Sequence, residues 1–253
     1  MPAPSIVSLL RDGTFDAELA ALVWLLVEGR VPLVVTGAAE SSTRLAVAHA
    51  LLSMSPDRPA VVVDMEADAV TADRLAAWLQ GGVGLGLTVE AADLRTLIDR
   101  LAEPALTGLP EDAVRRLGVV VVLEAAEPGT RVAAAHYLRP TERDGQGHLQ
   151  RRPPAVLATW DAASDSFEHY AWGVTPELAD RVDRSQADLE ERQRDRAALL
   201  RSLSEGVEQD EGRDLPDRLR AYLATEPLRV PAPVRPPASP SPFHANLADP
   251  HEH

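Results

Sequence analysis

The residues with the most chemical promise lie in one short stretch, Gly37 to Arg44. It sits between the β-branched run Val31-Pro32-Leu33-Val34-Val35-Thr36 and an apolar segment reaching Leu52. A tight loop leading into a helix holds phosphate because unpaired N–H donors and the positive end of the helix dipole converge on one point. The sequence pattern for such a loop is G-x-x-x-x-G-K-[ST]. Its second Gly lets the backbone wrap, its Lys reaches the β- and γ-phosphates, and its hydroxyl holds Mg²⁺. Counted from Gly37, those three places hold Ser42, Thr43 and Arg44. All 25 basic residues of the chain are arginines, so no neighbouring Lys can substitute. A planar guanidinium does not replace a compact ammonium in a tight loop. The layout is that of a nucleotide site, and the catalytic groups are missing. A nucleotide bound here would be held by the amides of Gly37, Glu40, Ser41, Ser42 and Thr43, with Arg44 assisting. The plainer reading is a strand–helix turn in which Ser41, Ser42 or Thr43 caps the helix.

Asp64 and Glu66 are the other candidates, at the end of Pro59-Ala60-Val61-Val62-Val63. Ligands of open α/β sheets collect at the carboxyl ends of strands, where an acid orients a metal ion or a water. A solvated strand end is the simpler account of these two. The Gly81–Gly86 run reads as a flexible turn or as tight helix–strand packing. Nothing is claimed for His136 and His169, and Trp160, Tyr170 and Trp172 are placed in or beside a hairpin core. No G-x-S-x-G elbow or H-E-x-x-H spacing occurs. Cys is absent, which removes thiolate ligands, a Cys nucleophile and disulfides. A net charge of −14 argues against broad contact with a nucleic-acid backbone. No apolar run approaches the roughly 18 residues of a membrane span, and no basic segment precedes an apolar one as in a secretory signal.

The elements that must position these residues alternate. A helix capped by Thr14 or Asp16 runs to about Glu28, apolar on most faces and therefore buried. Strands follow at 31–36 and 59–64, with a helix from Thr43 to Ser53 between them. Next come a helix at 71–79, a strand ending at Thr88, and helices at 93–101 and 110–117. Strands and helices alternating at this length imply a covered parallel sheet. Strands at 118–125, 131–138, 155–160 and 166–172, joined by turns, then add antiparallel hairpins. A charged helix running from Thr175 to about Ser204 carries Glu/Arg pairs at i,i+4 spacing, which suit an exposed surface. A short helix covers 215–223, and a Pro-rich segment begins near Glu226.

Residues 16–220 resemble the C-terminal ATPase domain of the type II/type IV secretion and pilus-assembly ATPases, a RecA-like P-loop family. The resemblance rests on three segments. Ala17–Leu22 leads into Arg30–Gly37; Trp78–Ala91 is similar to a Gly-rich stretch ending in a Thr-x-His-Ala box, here Thr88-Val89-Glu90-Ala91 without the His; and the hairpins from Val119 to Gly173 lead into Pro176-Glu177-Leu178. The resemblance implies an α/β fold, a RecA-like P-loop three-layer sandwich. Its mostly parallel sheet would carry an antiparallel hairpin extension and C-terminal helices. The division expected is a lead-in at 1–15, a degenerate NTPase-like domain at 16–174, a helical extension at 175–225 and a disordered tail at 226–253. The implied role is that of a cytoplasmic assembly or regulatory subunit with impaired nucleotide binding. It would pair with itself or with an intact secretion-type ATPase, and the tail and charged helix would be partner sites. ATP and Mg²⁺ are the cofactors such a loop would take. Two alternatives are a slow ATPase whose charge comes from Arg44 or a neighbour's arginine, and a ligand-free interaction scaffold.

Overall fold

The computed structural model describes residues 4–68, 70–81, 83–143, 148–206 and 214–231. Its first half contains α1 (Ile6–Arg11), α2 (Ala17–Glu28), β1 (Leu33–Gly37), α3 (Ser41–Leu52), β2 (Ala60–Asp64), α4 (Ala72–Gly81), β3 (Gly84–Thr88), α5 (Leu94–Ala102) and α6 (Glu111–Arg115). There follow β4 (Val119–Ala125), β5 (Thr130–Tyr137), the short pair β6 (Glu142–Arg143) and β7 (Leu149–Gln150), β8 (Ala155–Asp161) and β9 (Ser166–His169). A 3-10 turn at Ala171–Gly173 leads to α7 (Thr175–Arg181), α8 (Gln186–Glu205) and α9 (Leu215–Thr225).

One seven-stranded sheet has the order β2-β3-β1-β4-β5-β8-β9. β2, β3, β1 and β4 run parallel, and β5, β8 and β9 extend the sheet antiparallel. Leu33, Val35, Val119, Val121 and Leu123 face one side, where they join side chains of α1, α2, α3, α7, α8 and α9. Val34, Val63, Leu85, Leu87 and Val120 face the other, with Leu75 of α4, Leu97 and Leu101 of α5 and Val114 of α6. Helices on both faces make three layers, and burial on both sides explains why β1 and β4 read as unbroken apolar runs.

Local signals account for the elements nearest the loop. Asp16 Oδ1 accepts from the Leu19 amide at 2.8 Å, capping α2. Leu19 to Val27 are all buried, as their apolar character requires. A Cβ on Gly86 would lie 2.7 Å from Leu52 Cδ1, so this glycine lets α3 settle onto β3, in line with the packing reading of the Gly-rich run.

The C-terminal part departs from the sequence expectation. The helix from Thr175 breaks after Arg181, and Ser185 caps α8 by accepting from the Asp188 amide at 3.2 Å. The spacing Ser185-x-x-Asp188 is a capping-box signal for that restart. α8 is exposed on one face, with Glu190, Glu191, Arg194 and Asp195 toward solvent, and buried on the other. Asp188, Arg192 and Arg196 are buried along with Leu189, Leu200 and Leu203, against the face formed by α2. Arg196 is fully buried, with Nε 2.9 Å from Glu226 Oε1 and Nη2 2.7 Å from Glu226 Oε2. The same Nη2 reaches Glu28 Oε2, and the guanidinium stands 4.4 Å from the Trp24 ring centroid. α7 to α9 therefore share the main core. The segment from Glu226 to Pro231 is held to the body by Glu226 and by a 2.8 Å bond from the Ser185 amide to the Val230 carbonyl. The rest of the expected tail, 232–253, lies outside the described residues.

β9 ends at His169, so Trp172 falls in the 3-10 turn and is 79% exposed, not in a hairpin core. Among the described residues, no helix is long and apolar enough to cross a membrane.

Candidate functional site

Gly37 ends β1 with φ of 121°, a conformation that disfavours side chains. A Cβ there would lie 1.9 Å from the Leu123 carbonyl oxygen of β4, so the close approach of two strands requires this glycine. Its amide is already used, donating to the Ala91 carbonyl at 2.8 Å. Thr36 Oγ1 donates to the same oxygen at 3.0 Å, and the Val89 amide donates to the Val35 carbonyl at 3.1 Å. The segment after β3 is thus stitched across the carboxyl end of β1. Thr36 and Ala91 were not singled out from sequence, although Ala91 ends the Thr88–Ala91 box.

Only Ala38, Ala39 and Glu40 separate β1 from α3. Glu40 is the N-cap but makes no side-chain capping bond, and its carbonyl accepts from the Thr43 and Arg44 amides, each at 3.0 Å. Ser42 and Thr43 are already helical, and Ser42 and Glu40 point to solvent. Arg44 does the opposite. It is 2% exposed, and its Nη1 donates to the Ala39 carbonyl and, at 3.4 Å, to that of Gly37. Nη2 lies 3.9 Å from Glu90 Oε2. A phosphate cradle turns N–H donors inward. Here the carbonyls of Gly37 and Ala39 accept from a guanidinium of the chain itself.

Asp64 and Ser41 are brought together: the hydroxyl donates to Oδ2 at 2.5 Å. Oδ1 accepts from the Glu66 amide at 3.1 Å. Burial pushes the Asp64 pKa up, but the bonds from Ser41 and Glu66 outweigh it and hold the carboxyl below its ordinary value. Glu66 turns away from this pair. Its Oε1 accepts from the Glu90 amide at 2.7 Å and faces Arg100 Nη1 at 3.4 Å.

No protein-family model and no curated protein matches the chain.

The chemistry open to this arrangement is narrow. A carboxylate whose pKa is held low is a weak base, which disfavours activation of the Ser41 hydroxyl by Asp64. Among the described residues, no three His, Asp or Glu side chains gather as a metal site. Ser41, Arg44, Asp64 and Glu66 instead tie the loop, β2 and the segment after β3 into one network. Ser42 and Glu40 stand outside it.

Proposed function

We propose that the chain is a P-loop-like protein that does not turn over nucleotide and works through assembly, pairing with itself or with an intact secretion-type ATPase. The observation that carries this reading is the placement of Arg44, whose guanidinium occupies the carbonyl-lined interior of the loop. An ATP phosphate entering there would have to displace a buried cation from its acceptors and would meet oxygen atoms where it needs donors. The Ser41–Asp64 bond supports the same reading, because it commits the first hydroxyl of α3 to a carboxylate, while Arg44 fills the place of the motif's Mg²⁺-holding hydroxyl.

The assembly half is supported at the opposite end of the sheet. β9 is an edge strand, and beside it Trp172 is 79% exposed and Tyr170 39% exposed. Exposed edges invite pairing, and aromatic side chains are enriched where protein interfaces form.

Phosphate release from MgATP and sedimentation velocity test the two halves together. The expectation is no phosphate release above the buffer rate, with concentration-dependent association that Trp172→Asp weakens. Steady turnover abolished by Arg44→Ala would overturn the first half. A monomer at all concentrations, alone and with a purified secretion-type ATPase, would overturn the second.

A further inference from the structure

We propose that a second site, at the amino edge of the parallel strands and independent of the Gly37 loop, binds a phosphate group. A cavity of about 50 Å³ opens beside Ala60 and Gly84, the first residues of β2 and β3, with Leu52 forming apolar wall. Arg30 and Arg58 both line it, and no Asp or Glu does. The nearest acid in sequence, Asp57, is engaged by Arg220 Nε at 2.8 Å. Among the described residues neither Arg30 nor Arg58 has an ion-pair partner, in a chain whose net charge is −14. Ser55 also lines the cavity; it is 5% exposed, and its hydroxyl has no hydrogen-bond partner. Two guanidinium forks and a hydroxyl match a phosphate dianion better than a single carboxylate charge.

The backbone at Arg30 points the same way. Its φ is +63°, and its amide and that of Val31 donate to the Val27 and Leu26 carbonyls, each at 2.9 Å. That is a Schellman ending of α2, whose left-handed position favours Gly. An arginine there is conformationally disfavoured, yet it lines the cavity. The ends of α2 and α3 both approach this edge, but several carbonyls of their last turns are occupied. Leu26 and Val27 accept as above, and His49 and Leu52 accept from Ser53 and Ser55 at 2.9 and 3.2 Å. This blunts the negative helix poles that would repel an anion.

The test is an NMR titration of the isotope-labelled full chain with sodium phosphate, against sodium chloride and sodium acetate at matched ionic strength. Saturable shifts of the Ser55, Arg58 and Gly84 amides are expected with phosphate, and acetate should bind roughly tenfold more weakly or worse. Arg30→Gly suits the left-handed backbone and should stay folded, with phosphate affinity reduced roughly tenfold or more. Arg58→Gln should do the same. Shifts that stay linear with phosphate, persist in both variants, or match those from acetate would overturn the proposal.

Discussion

The Ser41 hydroxyl lies 2.5 Å from Asp64 Oδ2, so the first turn of α3 reaches past β3 to the carboxyl end of edge strand β2. Because the Asp64 pKa is depressed below 3.8, its contribution to stability is present above that value and lost as pH falls through the folded pKa. Ser41→Ala should move the Asp64 pKa upward and raise the pH of acid unfolding, with a loss of about 1.5 kcal/mol at neutral pH. A carboxyl NMR titration and acid unfolding followed by circular dichroism check both effects. An Asp64 pKa unmoved by the substitution would show that the bond does not hold the carboxylate.

His169 behaves with the opposite sign. The hydrogen bond from its Nε2 to Asp16 Oδ2, at 2.7 Å, raises its pKa above 6.5; burial opposes this, and the charges of Asp16 and Glu18 add to it. The stabilisation is therefore complete below 6.5 and disappears as pH rises through the folded pKa. Asp16→Asn should lower the His169 pKa in an imidazole NMR titration. His169→Gln should flatten the fall in stability seen by urea unfolding as pH rises past that region.

Arg196 is the most exacting residue of the C-terminal layer, because removing it takes away the guanidinium that holds Glu226 and leaves Glu28 with Arg184 Nη2 at 3.5 Å. Arg196→Ala should destabilise by about 3–5 kcal/mol, the range seen when one partner of a buried ion pair is deleted. Urea denaturation measures it. Arg194→Ala, on the same helix but exposed, should fall within about 0.5 kcal/mol of the parent.

Gly37→Ala should cost about 2–4 kcal/mol or prevent folding, since the new Cβ meets β4 backbone and the φ is unfavourable. Denaturation again decides. A variant of parental stability would mean that β1 and β4 can move apart freely.

Much of this fold was legible because its signals are local. The Asp16 cap and the unbroken apolar run of α2, the β1–turn–α3 layout and the apolar stripe of α5 all depend on neighbouring residues. The strand order is another matter. Nothing in the sequence of β3 says that it lies between β1 and β2. The buried charged face of α8 was missed for a similar reason. Arg192 and Arg196 look solvated until Glu28 from α2 and Glu226 from beyond α9 are brought beside Arg196. Within the site, the residue types at 41, 44 and 64 were visible, but their orientations were not. Whether Arg44 reaches outward for an anion or back to loop carbonyls is set by backbone that only the folded chain defines.

The most direct measurement is a calorimetric titration of the purified chain with MgATP up to roughly 1 mM, the upper end of ordinary enzyme KM values. Arg30→Gly serves as a control that weakens the second site. The account predicts no saturable heat assignable to the Gly37 loop: any binding by the parent chain weakens roughly tenfold or more with Arg30→Gly. A saturable isotherm that Arg30→Gly leaves unchanged and Arg44→Ala abolishes would contradict it.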